Sequence, residues 1–238
     1  MLTKNSTILW LTIFGVAMGF LEAAVVIYLR EIYYPDGFSF PLVEIKNSTL
    51  SVEIFREAAT IIMLFAIGFL AGKTKLQRFA FFIYSFAIWD IFYYVFLKIS
   101  IDWPESLLTP DILFLIPVPW IGPVIAPIIL SLTMIILSLS ILRYDACKES
   151  VKLNRMDWKL LIAGSLIVII SFILNFVISL EEIIMSSLFT DPIALAIIES
   201  NFRPINWLLF SFGEMIIIFQ IFRIIRMKRF VSAKPEFH

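Results

Sequence analysis

The sequence predicts an all-α, polytopic integral membrane protein, a bundle of six transmembrane helices with short interfacial or re-entrant helices in its outer loops. Of the 238 residues, 61% are hydrophobic and only 16% are charged, and the mean hydropathy is +0.95, too apolar for a water-soluble domain. A spanning helix needs about 20 predominantly apolar residues, and six segments meet this requirement, which leaves no room for a soluble domain. We therefore predict a single transmembrane domain over residues 1–238, with spans at about 8–29, 51–72, 76–98, 113–142, 158–180 and 205–226.

The distribution of basic residues predicts the orientation of these spans. Fourteen of the 19 Lys and Arg residues lie in the two termini and in the two connections on the same side of the bilayer, and such residues are enriched in cytoplasmic loops. Both termini of this multi-pass protein are therefore predicted to be cytoplasmic, with the chain in the cell membrane and an acidic outer face. The cations flank the spans without interleaved aromatic residues, which argues against nucleic acid as a partner.

The first span carries small residues on the same face as an acidic one. Gly15 and Gly19 are four residues apart, and Glu22 follows on their side of the helix. Small residues at this spacing let another helix approach closely. Glu22 is therefore predicted to face the interior of the bundle.

Prolines interrupt the beginning of the fourth span. Four of them fall within the eleven residues of 117–127, and each lacks an amide donor and clashes with the preceding turn of a helix. We expect a short half-helix over 111–117, because Thr109-Pro110-Asp111 matches a helix start, and the actual span at about 121–142.

The last outer loop contains the same helix-start pattern. Asp191-Pro192 precedes the apolar stretch 193–198, with an N-cap residue followed by Pro at the first helical position. The stretch is too short to span the bilayer. It is predicted to lie in the interface or to re-enter the membrane.

Acidic residues inside the apolar runs are the main clue to a functional site. At 1.5 Å per residue, Glu22, Glu57, Asp90 and Glu214 each lie about 9–14 Å below the outer ends of their spans, and Asn175 lies somewhat shallower. A charge at the membrane centre costs at least about 2.5–3.5 kcal/mol, and Arg56 is the only cation at comparable depth. The sequence thus predicts one outer-leaflet pocket and assigns neither catalytic residues nor metal ligands. The predicted ligand-binding residues are Glu22, Arg56, Glu57, Asp90, Asn175, Glu214, Trp89 and Trp120.

A structural role for the same charges remains open at the level of sequence. An ion-pair network could join spans one and two, while Asp90 and Glu214 would accept hydrogen bonds from nearby side chains. The network would contain Arg30, Glu31, Glu53, Arg56 and Glu57, and the donors would be Tyr93, Tyr94, Asn206 or Trp207.

Histidine and cysteine usage narrows the chemistry. The only histidine is His238, the last residue, and the only cysteine is Cys147 in a cytoplasmic loop. Histidine-ligated haem, histidine-based zinc sites and Ser-His-Asp catalysis are therefore excluded as predictions. The cofactor, if any, is unknown.

Three functions fit these observations. The favoured one is binding or transport of a cation, a protonated amine or a proton-coupled small solute by an outward-facing, carboxylate-lined pocket. An intramembrane enzyme acting on a lipid-linked substrate is the alternative, with Glu57 and either Asp90 or Glu214 as an acid–base pair, or with carboxylate-bound Mg²⁺. A third possibility is an accessory subunit of a membrane complex.

The overall arrangement is similar to the substrate-binding subunits of energy-coupling-factor vitamin transporters. The likeness covers six helices, cytoplasmic termini and an outward-open pocket beneath two loops, and no specific motif carries it. It implies that the face of Gly15 and Gly19 could dock a membrane partner, in addition to the lipid bilayer around the spans.

Overall fold

The computed structural model describes residues 4–35, 47–145, 153–187 and 205–232. The described chain consists of long helices and one two-stranded antiparallel hairpin. The helices are α1 (Lys4–Tyr33), α2 (Asn47–Ala71), α3 (Lys75–Ile101), α4 (Ile125–Asp145), α5 (Arg155–Ser187) and α6 (Trp207–Ser232), and the strands between α3 and α4 are β1 (Pro110–Phe114) and β2 (Trp120–Pro123).

Six helical segments are long and apolar enough to cross a membrane by length and composition. The prediction of a mostly helical chain with six candidate spans is therefore confirmed, although the fourth begins well after 113. The segments are Asn5–Tyr33, Ser48–Ala71, Lys75–Ile101, Ile125–Arg143, Arg155–Leu174 and Trp207–Arg226.

Side-chain caps fix where several helices begin. The hydroxyl of Thr74 accepts a hydrogen bond from the Gln77 amide at 3.1 Å at the start of α3. Before α5, the side chains of Asn154 and Asp157 each accept a hydrogen bond from the other residue's amide, at 2.9 and 2.8 Å. Such contacts satisfy amides that have no partner within the first turn.

Helix α3 is the centre of one half of the bundle, where it packs against α1, α2 and α4. The close approach predicted for the small residues of α1 is confirmed. A Cβ atom on Gly15 would lie 2.8 Å from Ile88 Cγ2, and one on Gly19 would lie 2.9 Å from the Trp89 carbonyl oxygen. In this chain, α3 packs against this face.

The other half of the bundle is built on the contact between α5 and α6. A Cβ atom on Gly213 would lie 2.8 Å from the carbonyl oxygen of Gly164, so these helices cross at close range. Helix α6 also contacts α4, which therefore lies between the two halves.

The half-helix predicted over 111–117 is wrong, and the chain is not purely α-helical. Residues 110–123 form the hairpin, with Asp111 opposite Gly122 and Ile112 opposite Ile121. A residue that precedes proline is pushed out of the helical region, and prolines follow residues 116, 118 and 122. Extended segments on both sides of the proline-rich turn can pair instead.

The hairpin packs against α5 through two contacts. The ring of Trp120 stacks on that of Phe172, with centroids 6.1 Å apart and an angle of 11° between the planes. Gly122 lies so close that an added Cβ atom would be 3.0 Å from the Phe172 ring.

The predicted loop helix at 193–198, Cys147 and His238 lie outside the described residues.

Candidate functional site

A cavity of about 120 Å³ lies between α1, α2, α3 and strand β1. Its volume is close to that of an apolar cavity of about 150 Å³ that holds benzene, so a small solute or several waters fit. The lining residues are Glu22, Val26, Leu29, Arg30, Tyr33, Tyr34, Glu53, Arg56, Glu57, Trp89, Asp90, Tyr93, Tyr94, Asp111, Ile112, Leu113, Phe114 and Leu115.

Arg56 joins α1 to α2 along one wall of this cavity. Its Nε donates to both carboxylate oxygens of Glu53, one turn earlier, at 2.9 Å, and its Nη1 donates to Glu22 on α1. The hydroxyl of Thr60 is 3.4 Å from the second oxygen of Glu22. The N–H donors on both sides of the guanidinium group are therefore directed at carboxylates of the protein itself.

Glu57 is held by the backbone of the hairpin and makes no ion pair in the described structure. Its two oxygens accept from the Leu115 amide at 2.9 and 3.2 Å. The residue is only 7% exposed. Strand β1 therefore positions this carboxyl group by a hydrogen bond that fixes its place in the cavity wall.

Asp90 has a hydroxyl partner on a neighbouring helix. Its Oδ2 accepts from Ser131 Oγ of α4 at 2.7 Å, while its Oδ1 accepts no hydrogen bond from the part of the chain that the structure describes. Asp90 keeps some accessible surface in mid-helix, although its neighbours Ile88 and Trp89 are buried. Since Asp90 lines the cavity, that surface faces the enclosed space.

Arg30, the second arginine of the cavity lining, forms an ion pair with Asp111 of the hairpin. Arg30 Nη2 lies 3.1 Å from Asp111 Oδ1, and the Tyr94 hydroxyl donates to Asp111 Oδ2 at 3.2 Å. The Arg30 guanidinium also lies 3.6 Å above the Trp103 ring, a cation–π contact. Burial raises the pKa of Asp111 from 3.8 to about 6, although Arg30 acts in the opposite direction.

The charges around the cavity are unbalanced. Five carboxyl groups face two guanidinium groups, an excess of three acids, and neither Glu57 nor Asp90 is in an ion pair with a described residue. The remaining lining is largely aromatic and aliphatic. The acidic members are Glu22, Glu53, Glu57, Asp90 and Asp111, and the basic ones are Arg30 and Arg56.

Most of the predicted site residues come together, but not all of them. Glu22, Arg56, Glu57, Trp89 and Asp90 line the cavity. Asn175 is in α5, and its side chain is outside what the structure describes.

Glu214 does not line the cavity, so the structure does not bring it together with the other three predicted carboxylates. It is buried between α6 and α4, where its Oε2 accepts from Thr133 Oγ1 at 2.8 Å. The reason is helix packing: α6 contacts α4 and α5, whereas the cavity lies among α1–α3. Trp120 is also outside the cavity lining, against Phe172.

Several lining groups were not predicted as site residues. Asp111 was interpreted as part of a helix start, and Arg30 was placed nearer the surface. An acid and a base in successive outer segments were the available signal for their pairing. The Leu115 amide gives no sequence signal, because every residue but proline has one.

The alternative ion-pair network is present only in part. Arg56 forms ion pairs with Glu53 and Glu22. Glu57 forms no ion pair with a described residue, and Arg30 pairs with Asp111. Asp90 and Glu214 accept hydrogen bonds from hydroxyl groups of α4. The predicted donors do not make these bonds; they were Tyr93, Tyr94, Asn206 and Trp207. Among the described residues, no three His, Cys, Asp or Glu side chains are close enough to share one metal ion.

The described residues thus form six long helices that are apolar enough to span a membrane, with an acidic, partly aromatic cavity between α1, α2, α3 and β1. Comparison with protein-family models, with curated proteins and with solved structures gives no match.

Proposed function

We propose that this chain is a multi-pass membrane protein that binds a positively charged solute in the cavity between α1, α2, α3 and β1, as a step in recognition or transport. The observation that carries the proposal is the excess of three carboxyl groups over guanidinium groups in the lining. Opposite charges attract strongly where water is largely excluded. A cation would supply the charge that the described residues of the lining do not.

The outer surface of the helices supports the membrane assignment. Large apolar side chains are exposed along α1, α2 and α6, and contiguous apolar surface of this extent is typical of contact with lipid. Examples with more than half of the residue exposed are Trp10, Leu21, Phe55, Phe65, Leu70, Leu208, Met215 and Phe222.

The cavity is proposed to open outward, with both termini in the cytoplasm, because the basic connections flank the opposite ends of the helices. This orientation is testable by cysteine labelling in intact cells after Cys147→Ser. A membrane-impermeant maleimide should label Ser106→Cys, before the hairpin, and should reach Lys73→Cys, between α2 and α3, only after permeabilisation. The reverse pattern would contradict the orientation.

Cation binding is tested by the thermal stability of detergent-purified protein. A panel of small cationic, neutral and anionic solutes at constant ionic strength should give a higher melting temperature only with cations, because a ligand that binds the folded state stabilises it by mass action. Glu57→Gln removes one unpaired acid of the cavity and should reduce the effect at least several-fold.

Glu214→Gln is the matched control, since Glu214 is also a buried intramembrane acid but lies outside the cavity. It should retain the full response. A protein that no cation stabilises, or a response equally weakened by both substitutions, would count against the proposal.

A further inference from the structure

We infer that the cationic solute is a small organic ammonium ion, with its charge at Asp90 and Glu57 and its carbon body against Trp89 and Tyr93. The inference rests on the proposed function and narrows it, because the cavity offers separate features for the charge and for the body of the ligand. Each of these features is a property of named groups in the lining.

The acids that remain for a ligand are Asp90 and Glu57. The guanidinium of Arg56 is directed at both Glu22 and Glu53, so these two carboxylates already share one cation of the protein. Asp90 keeps one carboxylate oxygen that accepts no hydrogen bond from described residues. Glu57 accepts only a backbone amide, so both acids can still form a charge-assisted hydrogen bond.

The ring systems of the lining fit an ion that carries carbon. Trp89 and Tyr93 both line the cavity, Trp89 lies edge-to-face against Phe86 at 5.0 Å, and Tyr93 lies against Tyr94 at 4.7 Å. These contacts hold the rings in fixed orientations. Aromatic faces attract ammonium groups by the ring quadrupole and also bury apolar substituents.

Trp89 is a buried part of the cavity wall. The residue is only 5% exposed, and its indole N–H has no hydrogen-bond acceptor in the described structure. Buried groups outside the cavity, among them the Trp120 indole and one Glu214 oxygen, share this property. The inference therefore rests on the two acids and on the aromatic rings of the lining.

A metal ion is a poorer fit to the same lining. Ca²⁺ takes six to eight oxygen ligands and Mg²⁺ needs near-octahedral geometry, which requires several oxygens to converge on one point. The acids of the described residues do not converge in this way. An ammonium group needs fewer partners, because its N–H donors can be satisfied by one or two acids and by water.

The test compares probes of equal size and different charge. n-Butylammonium, with five non-hydrogen atoms, matches a cavity slightly smaller than one that holds benzene; butan-1-ol and butyrate are its neutral and anionic counterparts. Butylammonium should raise the melting temperature of the detergent-purified protein, whereas the alcohol, butyrate, NaCl, KCl, MgCl₂ and CaCl₂ at equal ionic strength should not.

Substitutions assign the effect to the cavity. Asp90→Asn and Glu57→Gln should each weaken butylammonium binding at least tenfold in a titration of the melting temperature, and Glu214→Gln should leave it unchanged. Two independent variants are included so that poor folding of one does not remove the test.

The possible outcomes separate this inference from the proposed function. Stabilisation by inorganic cations alone would overturn the ammonium inference and leave cation binding in place. Equal stabilisation by butan-1-ol would also overturn it, since the charge would then be irrelevant. If no cation of either kind stabilises the protein, both proposals fail.

Discussion

Two acids that look alike in sequence, Asp90 on α3 and Glu214 on α6, have different surroundings in the fold. Each lies in the middle of an apolar helix and accepts a hydrogen bond from a hydroxyl of α4, from Ser131 at 2.7 Å and from Thr133 at 2.8 Å. Asp90 faces a cavity with further acids and aromatic rings. Glu214 is 4% exposed and is enclosed where α6 contacts α4.

The difference follows from what each half of the bundle packs against. In the α1–α3 half, residues 111–115 of the hairpin segment form one wall of the cavity beside Glu57 and Asp90. In the α5–α6 half, Gly164 and Gly213 bring two helices into close contact, and Glu214 is buried where α6 contacts α4. A buried acid therefore indicates a binding site only where the packing around it leaves room for a ligand.

The largest change in the free energy of unfolding is expected for Arg56→Ala. It leaves Glu22 and Glu53 without their cation at side-chain exposures of 11% each, and removing one partner of a buried ion pair costs about 3–5 kcal/mol. We expect a loss of about 3 kcal/mol in the free energy of unfolding, measured by denaturant titration in detergent micelles.

Arg223→Ala is the corresponding change in the other half. Arg223 pairs with Asp157 at 3.2 Å, but its side chain is 34% exposed, and Asp157 keeps its hydrogen bond from the Asn154 amide. We expect a smaller loss of about 1–2 kcal/mol, because only one acid, Asp157 with a side-chain exposure of 1%, loses its cation, and the cation itself is partly solvated. Equal losses for the two substitutions would show that the second carboxylate of the Arg56 cluster adds nothing to its stability.

An intermediate effect is expected when a methyl group is added at the helix crossings. In Gly19→Ala the new Cβ would meet Trp89 O at 2.9 Å and Tyr93 N at 3.0 Å, and in Gly213→Ala it would meet Gly164 O at 2.8 Å. Overpacking of this kind costs about 1–3 kcal/mol, and the better helix propensity of Ala returns at most about 1. We expect each variant to lose about 1–2 kcal/mol in the free energy of unfolding.

The two glycine variants should differ in ligand binding. Gly19 contacts the backbone of Trp89 and Tyr93, which line the cavity, whereas Gly213 contacts Val168 and Gly164 in the other half. Titration of the melting temperature with butylammonium should therefore give weaker binding for Gly19→Ala and unchanged binding for Gly213→Ala. A loss of binding in Gly213→Ala would mean that the halves are not independent.

The sequence predicts features that depend on one helix better than it predicts contacts between helices. Apolar length predicted six candidate spans, and the spacing of Gly15 and Gly19 predicted a close helix contact, because both depend on a single helix. Whether Glu214 meets Glu57 depends on the order in which helices pack, which no local pattern contains.

The hairpin could not be predicted for a related reason. Thr109-Pro110-Asp111 is compatible with a helix start, and only the pairing of 110–114 with 120–123 across the proline-rich turn favours strands. That pairing also brings the Leu115 amide to Glu57 and the Asp111 carboxylate to Arg30. Two contacts in the cavity wall thus depend on the pairing of these two strands.

The smallest effect, and the most direct comparison of the two acids, is expected from removing the hydroxyls of α4. Ser131→Ala takes the donor from Asp90, and Thr133→Val takes it from Glu214 with little change of shape. Leaving a buried acceptor without its donor costs about 1–3 kcal/mol, and we expect both variants to lie near 1 because each loses a single hydrogen bond.

Their binding behaviour should differ although their stabilities are similar. Ser131 holds the Asp90 carboxylate against one wall of the cavity, so Ser131→Ala should weaken butylammonium binding several-fold, as measured by titration of the melting temperature. Thr133→Val should bind like the unmodified protein, because Glu214 has no contact with the cavity. If Thr133→Val weakens binding as much as Ser131→Ala, then α4 couples the two acids, and Glu214 belongs to the functional site after all.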